Sequence, residues 1–117
     1  VDFGIWTGRG IGDLAADPAW RRWNEQRDMA RAPGGESMRE VQSRVVAHIK
    51  RRQRQFGLGA RILMVSHAEP IRAAALSWMS LPLDAWWRID IPPASVTRIE
   101  PRSERHALVS VAWRAAS

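Results

Sequence analysis

The chain has 117 residues and a mass of 13.2 kDa, room for one domain in which roughly 65% of the unfolded surface is buried on folding. Its 45% hydrophobic and 26% charged residues exclude a disordered, collagenous or disulfide-scaffold protein. The absence of cysteine excludes disulfides, thiolate metal sites and a cysteine nucleophile, with a lean toward the cytoplasm. The formal charge of +6 comes from 18 basic residues against 12 acidic ones. Arg44, Lys50, Arg51, Arg52, Arg54 and Arg61 lie between Val41 and Ala68 with no acid among them and account for the whole excess.

Val1 is not a methionine and opens directly on a dense aromatic and glycine run, so a preceding N-terminal part of the domain is expected. Gly4, Gly8, Gly10 and Gly12 punctuate the first twelve residues and disfavour regular structure, which reads as a loop wrapped against the rest of the chain. Their spacing is not that of a phosphate-binding P-loop. Asp17 as N-cap with Pro18 at the first helical position starts a helix through Trp20 and Trp23, expected to end by Arg31. Ala32-Pro33-Gly34-Gly35 breaks the chain.

Ser37 with Glu40 three residues later has the form of a capping box, which predicts a helix running to about Gln55. Met38, Val41, Val45 and Ile49 make its apolar stripe; Arg39, Gln42, Lys50 and Arg54 lie away from it. Gly57 and Gly59 end the helix. Ile62 to Ser66 is then a short apolar run bounded by loop signals, the pattern of a parallel strand buried on both faces. A tight turn at His67-Ala68-Glu69-Pro70 leads into a helix from Ile71 to Met79, with proline in its first turn. Leu81 to Asp84 begins a connection through Trp86 and Trp87, and 95–100 and 107–113 alternate as two strands of a hairpin joined by a turn over 101–105.

Strand, turn and helix in that order put His67 at the carboxyl end of the strand, the edge at which ligands bind in open α/β sheets. Backbone N–H groups near Ala68 and Glu69 would point along the helix axis toward a bound anion. A histidine beside that anion can donate a hydrogen bond and stabilise charge spread over a phosphoryl group. Read alone, the residues leave open a histidine that is merely hydrogen-bonded in a turn.

Val-Ser-His-Ala-Glu-Pro-Ile-Arg at 65–72, Pro-Gly-Gly-Glu-Ser at 33–37 and Asp-Phe-Gly-x-Trp-x-Gly at 2–8, with Pro-Ala-Ser-Val-Thr at 93–97, resemble the phosphoglycerate mutase-like branch of the histidine phosphatase superfamily. The resemblance implies an α/β fold, a three-layer α/β/α sandwich with a mostly parallel sheet. It also implies cofactor- and metal-free chemistry in which one histidine takes the phosphoryl group covalently. His67 matches the family's second, phosphate-pocket histidine and is the catalytic residue expected here. Ala68, in the place often held by glycine, offers its backbone N–H to the phosphate. Val1, Asp2 and Phe3, which follow the place of the family's proton-donating glutamate, are the other expected substrate-binding residues. Thr7 departs from the acidic residue common at its position.

The family's Arg-His-Gly motif, which carries the nucleophile, has no counterpart among His48, His67 and His106. Residues 1–117 therefore read as one partial domain, incomplete at its N-terminus and inactive alone, whose strand 62–66 lacks a sheet neighbour. The expected function of the complete protein is hydrolysis of a small phosphorylated substrate, a phosphomonoester. The alternatives are a non-catalytic remnant acting as an interaction module and a mutase-type phosphotransferase. The insertion before the Gly-Glu-Ser helix is short, which favours the phosphatase. A homo-oligomer stays open. No nucleic-acid partner is expected, because Lys50, Arg51, Arg52 and Arg54 complement the negative end of their helix. No membrane partner is expected either, since the apolar runs at 62–65 and 73–76 fall far short of the roughly 20 residues of a span.

Overall fold

A computed structural model of the chain describes residues 1–102 and 105–115. A short helical turn at Gly4–Trp6 is followed by α1 (Ile11–Leu14), α2 (Pro18–Glu25), α3 (Met38–Phe56) and α4 (Ala68–Trp78). A second tight turn, Leu83–Arg88, leads to the antiparallel pair β1 (Val96–Arg102) and β2 (Arg105–Trp113). The opening segment does wrap against the rest: Trp6 is buried, and its indole Nε1–H donates to Asp17 at 3.3 Å. Gly10 and Gly12 nonetheless flank or enter a helical turn that the glycine pattern does not suggest.

Local chemistry explains the helix starts. Asp17 Oδ1 accepts the Ala19 amide at 2.9 Å with Pro18 at the first helical position. Ser37 Oγ accepts the Glu40 amide at 3.2 Å. The reciprocal half of the capping box is missing, because the Glu40 carboxylate pairs with Arg31 instead of turning back. The hydrogen bonds it accepts from Arg31 hold the Glu40 pKa below its ordinary value. Helix α2 stops at Glu25 rather than Arg31, and residues 26–30 form turns in which Met29 and Ala30 donate back to Gln26.

The core forms where α3 and α4 meet α2 and the opening segment. Trp6, Leu14, Trp23, Met38, Val41, Ala73, Leu76 and Leu83 make one buried cluster. Three tryptophan rings and Phe3 meet edge to face within it, at centroid distances from 5.2 to 6.1 Å. The α3 stripe holds at Met38 and Val41, with Val45 and Ile49 half-buried. Gln42, expected off the stripe, faces α4 and donates to Ala73 O at 2.8 Å. At its C-terminus α4 closes with Ser80 in the left-handed region (φ 55). Leu81 N–H bonds Leu76 O and Ser80 N–H bonds Ser77 O, a Schellman closure.

The hairpin runs two residues further than expected, through Pro101 to Arg102, with an irregular register between Val96 and Ile99. The expected turn over 101–105 falls in part on Ser103 and Glu104, outside the described residues. His106 docks the hairpin on the helices, lying against Trp78 at 5.7 Å and bonding Gln53 of α3. Burial, with Lys50 nearby, lowers its pKa.

The buried strand expected at 62–66 does not form: residues 61–67 are neither helix nor strand and are exposed, and the sheet among the described residues is the two-stranded antiparallel one. Leu63 and Val65 are 83% and 90% exposed, Ile62 and Met64 40% and 36%. Exposure alternates along the segment, high at Leu63 and Val65 and lower at Ile62 and Met64. Accessible surface totals 8073 Å², against about 6400 Å² for a compact monomer of this mass. The radius of gyration is 15.5 Å, where a closed domain of this length has about 13 Å. Both excesses fit the open segment.

Candidate active site

Segment 61–66 leads to His67, the N-cap residue of α4, whose own backbone is extended, with φ −121° and ψ 168° and no side-chain capping bond. The imidazole is exposed. Ile71 N–H is the first to bond into the helix, to His67 O at 3.2 Å. Pro70 has no N–H, so the amides of Ala68 and Glu69, which follow His67 in the chain, stand ahead of the helical ladder. An anion there would meet two backbone donors, the positive helix end and a histidine.

The first turn of α4 is held from below. Glu69 is clasped by two arginines: Arg27 pairs with its Oε2, and Arg72 Nη1 donates to Oε1 at 2.6 Å. Arg72 Nε also donates to Ile89 O at 2.8 Å, so this side chain anchors the helix to neighbouring structure. The Arg27 guanidinium lies over the Trp86 ring at 3.8 Å, and Trp86 Nε1–H donates to Asn24 O at 2.8 Å. Arg27 is 6% exposed and its Nε has no partner among the described residues. Burial lowers its pKa, and Glu69 opposes that shift. Trp87, by contrast, is 67% exposed with Arg88 against its face.

The other expected site residues belong to a second unit. Segment 1–5 crosses 33–36 at backbone contact: Glu36 N–H donates to Asp2 O at 2.8 Å and Ile5 N–H to Pro33 O at 2.9 Å. Glu36 Oε2 accepts the Asp2 amide at 3.1 Å, and Asp2 Oδ1 accepts that of Gly4 at 2.9 Å. Glu36 also accepts hydrogen bonds from Arg44, the main reason that its pKa falls below the ordinary carboxylate value. Glu36 therefore ties the opening stretch of chain to α3, a role that its place beside the helix cap does not reveal. Val1 and Phe3 are half-buried against the core.

The crossing depends on glycine. A Cβ on Gly35 would lie 2.3 Å from Asp2 O and 2.8 Å from Gly4 N, both backbone atoms with no means of yielding alone. Gly35→Ala is accordingly expected to cost about 1–3 kcal/mol in urea unfolding, as overpacking does. A loss below a few tenths would show that the crossing opens without penalty.

No hydrogen bond among the described residues joins Val1, Asp2 or Phe3 to His67 or Ala68. A relay of contacts runs from Phe3 as far as Glu69, the residue after Ala68: Phe3 meets Trp23 at 6.1 Å, Trp23 meets Arg27 at 6.0 Å, and Arg27 holds Glu69. Sequence patterning does not single out Arg27. In a helix running to Arg31, as expected from the sequence, its spacing of seven and four residues from Trp20 and Trp23 would place it on their face, the one signal that points to it. No group of three or more His, Asp or Glu among the described residues is placed to hold a metal ion. Nor is any of their helices long and apolar enough to cross a membrane.

Residues 1–114 match the profile of a family described as the histidine phosphatase superfamily, branch 1. Over 114 residues the chain is 25% identical to phosphoserine phosphatase 1 of Hydrogenobacter thermophilus, an alignment covering 95% of this chain and 53% of that protein. The chain thus spans about half the length of the curated relative it matches.

Proposed function

The chain belongs to the histidine phosphatase superfamily, and on that premise we propose that the whole protein is a phosphomonoester phosphatase with His67 in its phosphate pocket. The observation that carries this reading is the exposed imidazole of His67, at the N-terminus of α4 and followed in the chain by the Ala68 and Glu69 amides. In the proposed reaction a nucleophilic histidine on sequence outside residues 1–117 attacks phosphorus. The ester P–O bond breaks, and the leaving alcohol takes a proton from an acid also outside these residues. Water then attacks the phosphorus of the phosphohistidine, releasing inorganic phosphate and restoring the imidazole. His67 and the Ala68 amide donate hydrogen bonds to the equatorial oxygens, over which charge is spread in the transition state.

Segment 61–66 is proposed as a strand of a mostly parallel central sheet, paired with the strand that bears the nucleophile. That arrangement would complete a three-layer α/β/α domain. Its exposed alternating side chains support this. Hydrolysis is favoured over phosphotransfer by the likeness to a phosphoserine phosphatase, and a small phosphorylated metabolite with one ester group is the proposed substrate class. The protein with its preceding sequence, mixed briefly with radiolabelled phosphomonoester and quenched in alkali, is expected to carry alkali-stable, acid-labile label on histidine. Hydrolysis with no such label at any quench time would overturn the phosphohistidine route.

A further inference from the structure

Beyond its first turn helix α4 buries three alanines and one leucine: Ala73, Ala74, Ala75 and Leu76 are 1%, 3%, 0% and 0% exposed. Alanines present no large knobs, which leaves Leu76, nine residues from His67, as the large apolar side chain of the buried face that resists sliding and rotation. The position of its first turn is set by polar ties instead. Glu69 has both carboxylate oxygens engaged, one by Arg27 from the loop after α2 and one by Arg72. Arg27 is itself fixed at three points: Asn24 Oδ1 accepts from its Nη2 at 3.2 Å, Trp86 lies against its face, and Glu69 takes its Nη1.

Stability alone does not account for this cluster. Two buried arginines on one carboxylate bring desolvation costs that an apolar set of equal volume avoids. The orphaned Arg27 Nε adds to them. What the cluster supplies is direction: a planar fork over an indole fixes Glu69 in angle as well as distance, two residues from His67.

We propose that Arg27, acting through Glu69, is a positioning residue that holds His67 and the Ala68 amide in the orientation in which they receive a phosphoryl group. This rests on the phosphatase reading above. It also links the two units of the site, since Arg27 reaches Phe3 through Trp23.

The test uses the protein with its preceding sequence and inorganic phosphate as the probe. Arg27→Met is expected to raise the inhibition constant for phosphate and KM by about tenfold, since small misplacements of binding groups have effects of that order or more. Arg27→Lys is expected to recover part of the loss. Leu83→Ala, which thins the same packed region by removing a side chain 3% exposed, serves as the comparison: it lowers the melting temperature and leaves both constants in place. The His67 ring resonances, read without substrate, are expected to move in Arg27→Met and not in Leu83→Ala. If Arg27→Met does not fold, Glu69→Gln carries the same measurements. Unchanged phosphate affinity and unmoved His67 resonances in a folded variant would overturn the positioning role. A parent that neither hydrolyses phosphomonoesters nor binds phosphate would overturn the phosphatase reading instead, and the resonance shift would still report whether Arg27 orients His67.

Discussion

His67→Ala, in the protein with its preceding sequence, is expected to lower kcat for a phosphomonoester by about 100- to 1000-fold, the usual effect of removing one preorganised donor from a site of developing negative charge. The imidazole sits at the helix start without a structural role, since it makes no capping bond and is exposed. Its removal therefore leaves α4 and its Glu69 ties intact, and the melting temperature should stay close to that of the parent. The contrast between lost turnover and retained stability is the diagnostic. Equal turnover in the variant and the parent would sink the assignment of His67 to the phosphate pocket.

Trp23→Ala has the opposite signature, with a cost of about 3–5 kcal/mol in stability. Trp23 is 2% exposed and touches Phe3, Trp6 and Arg27, so its loss opens a cavity between the opening segment, α2 and the Glu69 cluster. Backbone crossings hold segment 1–5 against 33–36, which limits how far the surroundings can collapse into the void. Against a total of about 5–15 kcal/mol for an ordinary domain, such a loss removes between about a fifth and all of the stability. Urea unfolding followed by far-ultraviolet circular dichroism measures it. A cost under about 1 kcal/mol would show that the aromatic cluster repacks freely.

Elements whose start is written in adjacent residues are legible in the sequence. Asp17-Pro18 and Ser37 cap α2 and α3 as their local chemistry requires, and the alternation at 95–100 and 107–113 points to the hairpin. His67 at a helix start follows from the order of an apolar run, a polar turn and a proline. Legibility ends where a partner lies far along the chain. Glu40 meets Arg31 across the Ala32–Gly35 break rather than the Ser37 amide. Arg27 and Glu69 are 42 residues apart, and no periodicity relates a loop residue to a distant helix turn. Gln42 falls outside any stripe drawn from apolar residues alone; its amide bonds Ala73 O, a contact that exists only once α4 is packed.

The open segment 61–66 gives the chain's uneven charge a physical role. An extended apolar edge is a template for pairing with the same segment of another copy. Here Arg61 stands at its head and Lys50, Arg51, Arg52 and Arg54 crowd the end of the helix that leads into it, with no acidic residue until Glu69. Two copies approaching edge to edge would bring these like charges together. The excess of six positive charges is thus expected to act as a gatekeeper against self-association through this segment.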